Sequence, residues 1–450
     1  MNISELQQLD QSLNWHPGAQ MKDYEKFKPL VIKRAYGSYL ELINGQKVID
    51  ATSSWWCKLL GHNHPLLQKA ALAQIEKFEH VLFAHTTHDT IVQLAQKLTS
   101  LAPGLNKVFY AGDGSSAVEI ALKMSVHTRY LLQQKQRHHF IALKNGYHGE
   151  TTGALSVSDL GLYKKPYTPL LFSAIFIEPA YVRDLEDPVW LNAEEHWLKT
   201  EKILAPYAHT TTALILEPII QGAAGMKIYS ADFLARLIAW AKAHDIHIIA
   251  DEIMTGIART GKMLACEHAS IQPDFVCLSK SLTAGWLPFS VVLTTDIIYR
   301  LFYDDYAEGR SFLHSHTYSG NALGASLALA TLNIIEEDNL CAKAQALQAI
   351  LYAYMKEIAD KSQTLRNVRA IGGIVAADII HGDGRNHLLY QKAAEMGALI
   401  RPIGNTLYWL PPLTISAETL RDLKEITLKA LLSLQVTAKR NNTLNFQAIS

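Results

Sequence analysis

ADFLARLIAWAKAHDIHIIAD, Ala231 to Asp251, contains the unit from which the fold is read. From Ala231 to His244 apolar residues recur at spacings of three and four, the mark of an amphipathic helix. Ile246 to Ala250 is then a short apolar run that ends on the carboxylate of Asp251. A strand with no polar alternation is one buried on both faces, as in a sheet covered by helices.

The same alternation extends in both directions. SSAVEIALKMSVHTRYL (Ser115–Leu131) is helical in spacing, HFIAL (His139–Leu143) reads as a strand, and TALIL (Thr212–Leu216) is another, closed by Glu217-Pro218. Phe275–Leu278 and Ser290–Thr294 continue the series. Strands alternating with helices predict an α/β fold with a mostly parallel sheet between two helical layers. The ends of the chain read differently. Residues 31–50 carry a hairpin signal at Asn44-Gly45. After about residue 340 a long helix leads to short strands near 368–380 and 407–410 and a final helix near 416–436. The expected organisation is a large domain over 61–338 and a smaller α+β unit built from both termini, 1–60 and 339–438, with a tail from 439 to 450.

Lys plus Arg and Asp plus Glu each number 42 in 450 residues, so the formal charge is zero and gives no long-range attraction to nucleic acid or an acidic membrane. No apolar run reaches the roughly 18 residues of a membrane span, and the start MNISELQQLD is not a secretory signal. Four scattered cysteines without CxxC spacing point to a reduced, cytoplasmic protein rather than a disulfide or zinc framework. The pairs His314/His316, His62/His64 and His85/His88 lack an acidic or cysteine partner at ligand spacing, so no metal site is expected.

In open α/β sheets function gathers beyond the carboxyl ends of the strands. Ala111-Gly-Asp-Gly-Ser-Ser116 precedes a helix, so free N–H groups at Gly114 and Ser115 suit a phosphate, or form a simple turn and cap. Asn145-Gly-Tyr-His-Gly149 leaves Tyr147 free to lie on a planar ligand, or to pack in a turn. Asp251 is a candidate partner for a protonated group, or a strand-ending polar residue. Lys280, after a strand and among small residues, is placed to be desolvated and nucleophilic, although most such lysines merely snorkel. In this order the set suits pyridoxal phosphate, with the phosphate in the cup, Tyr147 on the ring, Asp251 at the ring nitrogen and Lys280 at the aldehyde.

The stretches GHNHP (61–65), NGYHG (145–149), EPIIQGAAG (217–225), ADEIMTGIARTGKM (250–263), LSKSLTAG (278–285) and HTYSGNALG (316–324) jointly resemble the class III pyridoxal-phosphate aminotransferases of fold type I, over about residues 15–435. The resemblance implies a homodimer with shared active sites, Thr317 reaching the phosphate from the partner, and Ile253 on the ring face opposite Tyr147. WHP (15–17), SSWW (53–56) and RPIGNTLYWLPP (401–412) are similar to the members that aminate 8-amino-7-oxononanoate to 7,8-diaminononanoate in biotin biosynthesis. The amino donor expected is S-adenosylmethionine, with lysine as the alternative. An ω-amino acid or diamine aminotransferase is the rival within the family. By this resemblance Trp55, Trp56, Arg259, Ser315, Tyr408 and Arg401 line the substrate pocket, with Arg401 on the substrate carboxylate. Gly18 after WHP, where those members carry an aromatic, and Glu150 after NGYHG, where Asp is usual, depart from the pattern.

Overall fold

A seven-stranded sheet forms the centre of the computed structural model, which describes residues 1–380 and 386–447. Its strands are β1 (Lys107–Ala111), β2 (His139–Leu143), β3 (Ile175–Ile177), β4 (Thr211–Leu216), β5 (His247–Asp251), β6 (Phe275–Leu278) and β7 (Ser290–Thr294), in the spatial order β1-β7-β6-β5-β4-β2-β3. Every residue of β4, β5, β6 and β7 is buried. In β5, Ile249 faces one layer while Ile248 and Ala250 face the other, which is why no polar alternation marks the strand. Helix α1 (Gly114–Leu131) covers one face with Ala117, Val118, Ile120, Ala121 and Met124. Helix α2 (Ala231–Ala243) covers part of the other with Phe233, Leu234, Leu237 and Ile238.

Neighbouring strands from β3 to β6 run parallel, but β7 is antiparallel to both β6 and β1. The expectation that Ser290–Thr294 continues a parallel series is therefore corrected. A parallel return needs a crossover of a dozen or more residues, usually a helix. Residues 279–289 instead contain one short 3-10 turn, Lys280–Thr283, and the chain comes straight back.

The two ends of the chain share a sheet. Strands Tyr39–Leu42 and Lys47–Asp50 form the hairpin predicted at Asn44-Gly45, with Gly45 at φ +87°. Ala398–Leu399 adds to Lys47–Asp50 in parallel. Leu365–Ile371, Ile374–Ile379 and Thr406–Trp409 make a three-stranded sheet beside it. The last helix, Ala417–Gln447, carries the backbone through most of the stretch expected to form a tail; residues 448–450 lie outside the described residues.

Candidate active site

The four strand-end features read from the sequence meet at the carboxyl ends of β1, β2, β5 and β6. The cup at the start of α1 is capped by Asp113, whose side chain accepts from the Ser116 N–H at 2.9 Å. The first helical N–H groups, at Gly114 and Ser115, have no intrahelical acceptor. A Cβ at Gly114 would lie 2.9 Å from Ile253 Cδ1, and one at Gly149 would lie 2.2 Å from Ser115 Oγ. Both positions therefore let backbone approach where any side chain would collide. The Ser290 hydroxyl on β7 donates to the Asp113 carbonyl at 2.6 Å, so the antiparallel strand pins the cup.

Asp251 ends β5 buried. Its Oδ1 accepts from the Ile253 N–H at 3.1 Å and its Oδ2 from His148 Nδ1 at 2.7 Å. His148 Nε2 is buried with no hydrogen-bond partner among the described residues. Tyr147, half-buried beside it, donates its hydroxyl to Glu150 Oε1 at 3.1 Å, which gives the Glu150 departure a contact of its own. Burial pushes the Tyr147 phenol up, and Glu150 adds to the shift.

Lys280 begins the turn after β6 in a left-handed conformation, φ +42°. Its Nζ makes no hydrogen bond to the described residues and sits 4.8 Å from the Trp56 ring centroid. Burial pulls the amine below its ordinary value, opposed by the charges of Asp251, Glu217 and Cys57. Lys280 thus combines desolvation with the field of a strand-end carboxylate.

The two tryptophans diverge from a left-handed turn. Ser53, Ser54, Trp55 and Trp56 have φ of 49°, 44°, 70° and 75°. Such backbone costs an L-residue roughly 1–2 kcal/mol at each position. Trp56 points inward, its Nε1 donating to Tyr408 Oη at 3.0 Å, and touches the Gly222 backbone. Trp55 points outward, 49% exposed, with the Arg401 guanidinium stacked 4.3 Å from its ring centroid. Arg401 Nη2 donates to the Gly18 carbonyl at 2.7 Å, and a Cβ at Gly18 would lie 3.1 Å from Trp55 Cη2. Arg259 is fully buried. Its Nη1 donates to the Pro411 carbonyl at 2.7 Å, its Nε and Nη2 have no partner among the described residues, and burial pulls its pKa down to about 9.

Ser315 and Thr317 do not join this group within the chain. Both are exposed, on a segment that reaches Lys123 through His314 and residues 79–83 through Thr317 and Asn321, with the Thr317 carbonyl accepting from His80 Nε2 at 3.0 Å. His314 and His316 face each other at 3.1 Å, and no cluster of three or more metal-ligating side chains exists among the described residues.

Sequence reading missed Glu217. Fully buried, it accepts the Tyr147 N–H on Oε1 at 3.0 Å and the Gly222 N–H on Oε2 at 2.9 Å. It thereby ties the Tyr147 loop to the backbone under Trp56. Burial raises its carboxyl to about 7, with Asp251 adding and His148 opposing. Between pH 4.5 and 7 the folded state then holds a proton that the unfolded state has lost. Its contribution to stability is complete below pH 4.5 and declines as pH rises toward 7, by on the order of 3 kcal/mol. Glu217→Gln removes the titration. Thermal unfolding across this window should show the variant's melting temperature rising relative to the parent as pH increases. Parallel profiles would disprove the assignment.

The match to the family model described as "Aminotransferase class-III" spans residues 20–431. A Helicobacter pylori protein named adenosylmethionine-8-amino-7-oxononanoate aminotransferase is 41% identical over 94% of this chain and 96% of its own. An Aquifex aeolicus protein of the same name is 36% identical, over 92% and 94%. The crystal structure of the Methanocaldococcus jannaschii protein of that name superposes with a TM-score of 0.87 at 34% identity, covering 96% of this chain and 99% of that one. An omega transaminase from Pseudomonas jessenii in complex with PMP superposes at 0.88 with 26% identity, over 95% and 97%.

Proposed function

The chain belongs to the class-III aminotransferases, and from that membership we propose that it transfers an amino group to 8-amino-7-oxononanoate, giving 7,8-diaminononanoate for biotin synthesis. S-adenosylmethionine is the proposed donor. The names borne by the relatives support this acceptor over an ω-amino acid or a diamine. The observation that carries the reading is the Lys280 amine, without a hydrogen bond to the described residues and 4.8 Å from the Trp56 ring, with the stacked Trp55–Arg401 pair at the outer side.

The residues fit pyridoxal phosphate: an amine without a hydrogen bond, a helix start approached by glycine backbone, and a buried carboxylate held by a histidine. When bound, that cofactor supplies an electrophilic carbon and an electron sink. Gly114 and Ser115 would hold its phosphate, and Tyr147 and Ile253 would cover its two ring faces. Asp251 would meet the ring nitrogen and favour its protonated form, since an opposite charge nearby stabilises a cation. Lys280 would hold the cofactor, be displaced by the donor amine, and then carry the proton leaving the donor's α-carbon, as base and afterwards as acid. The Trp56 and Trp55 rings offer wide apolar contact with few rotors to freeze, suited to a long-chain keto acid. Arg401 would grip its carboxylate through two parallel N–H···O bonds, which a lysine cannot match.

We read the active form as a homodimer. Thr317 is exposed and turned to residues 79–83, and Leu82, Leu313 and Tyr318 nearby are 65%, 80% and 64% exposed, apolar surface that a second copy would cover. The four free cysteines support a reducing compartment, and no helix among the described residues is long and apolar enough to cross a membrane.

The test starts from the purified protein in its pyridoxamine form. Addition of 8-amino-7-oxononanoate should restore the visible band of the aldehyde form with formation of 7,8-diaminononanoate. No return of the band would assign the pocket to another ketone or aldehyde.

A further inference from the structure

The left-handed turn at 53–56 has a dedicated anchor. Four consecutive L-residues with positive φ are sterically disfavoured, and none of the four is a glycine that would relieve the cost. Asp50, fully buried at the end of its strand, uses both oxygens on this turn. Oδ1 accepts from the Thr52 N–H and hydroxyl, each at 3.2 Å, and Oδ2 accepts from the Ser54 hydroxyl at 2.7 Å. Oδ2 also meets His62 Nε2 at 2.8 Å. His62 is itself fixed, since its N–H and carbonyl pair with Gly37 at 2.7 and 2.9 Å and the ring is buried. Burial alone would push the Asp50 carboxyl up, but the bonds from His62 and Ser54 carry it below its ordinary value, so the anchor stays ionised. On the far side the Ser53 hydroxyl donates to the Leu410 carbonyl at 2.7 Å. Neither Asp50 nor His62 is in contact with Lys280, Asp251 or the cup.

We propose that Asp50, oriented by His62, is a specificity-determining positioning residue: it holds the strained turn that sends Trp56 toward Lys280 and Trp55 toward Arg401. The inference rests on the keto-acid reading above, because it assigns the pair to the pocket wall and not to the cofactor cup. A side chain that only stabilised the fold would lower melting temperature and cofactor occupancy together. A positioning residue for the wall changes KM for the long-chain acceptor and leaves the cofactor's visible band in place.

The experiment uses the cofactor-loaded enzyme, with the parent measured first on 8-amino-7-oxononanoate. A parent inactive on that acceptor overturns the functional reading, and the inference with it. With an active parent, Asp50→Asn is expected to raise KM at least about tenfold, with kcat changed less than about threefold. The near-UV tryptophan dichroism should change while the cofactor band stays intact. His62→Gln, which retains a donor, should show a much smaller rise in KM than His62→Ala. If Asp50→Asn does not fold, Ser54→Ala, which removes one bond to the same oxygen, decides the question with an expected rise in KM of about threefold. An unchanged KM and unchanged dichroism in Asp50→Asn, or in Ser54→Ala where that variant decides, would overturn the proposal.

Discussion

Lys280→Ala is expected to lower kcat by at least about a thousandfold, since proton transfer by a placed side chain alone contributes about 10²–10⁴-fold and the covalent hold proposed for the cofactor would be lost as well. The substitution should leave the fold intact. The Nζ makes no hydrogen bond to the described residues, and its contact is the Trp56 ring 4.8 Å away. Alanine keeps the same left-handed backbone option that lysine has at φ +42°. The check is turnover with matched circular dichroism and thermal unfolding. A variant with near-normal transamination would remove Lys280 from the reaction. Added methylamine should restore a small part of the rate in the alanine variant, because it can reach the space the side chain vacates.

Asp251→Asn is the second large effect, an expected fall in kcat of about 10²–10³-fold, the scale of losing one preorganised electrostatic group in a water-excluded site. The volume is unchanged, but the chemistry is not. The carboxylate accepts from the Ile253 N–H on one oxygen and from His148 Nδ1 on the other. An amide offers one acceptor and one donor, so one of those two N–H groups would face an N–H. That adds roughly 1–3 kcal/mol of destabilisation. The two consequences separate experimentally: the stability loss appears in thermal unfolding, and the electronic loss in kcat after full cofactor loading. A loaded variant with the parent's kcat would show that Asp251 only supports the loop.

The central sheet was legible because β4 to β7 are buried on both faces and read as uninterrupted apolar runs. β1 and β3 were not, since three of the five residues of β1 and two of the three of β3 are only partly buried. The direction of β7 was also hidden, because an apolar run looks the same whichever way it points. Lys280, Asp251 and Tyr147 could be found because each stands where an apolar run gives way to polar or small residues. Glu217 also closes a strand, but its importance depends on the Tyr147 N–H, 70 residues away, converging with the Gly222 N–H. Asp50 carries no chemical signature, His62 stands out only as half of a histidine pair, and nothing in Ser-Ser-Trp-Trp announces a left-handed turn, which sequence signals through glycine or asparagine. Tandem tryptophans are at odds only with a regular strand that buries one face, since alternate residues of a strand face opposite ways.

The joining of the two chain ends sets a timetable for biosynthesis. Trp56 is made early, yet the Tyr408 hydroxyl that its indole bonds lies 352 residues later, and the Leu410 carbonyl that holds Ser53 lies 357 residues later. At roughly 5–20 residues per second, the ribosome needs roughly twenty to seventy seconds to deliver those partners. The seven strands β1 to β7 have all been synthesised before then, although one face of their sheet still awaits residues 325–431. Through that interval the tryptophan turn lacks both of these partners. A chain stopped before residue 398 would have all seven strands of the central sheet and lack both partners of the tryptophan turn.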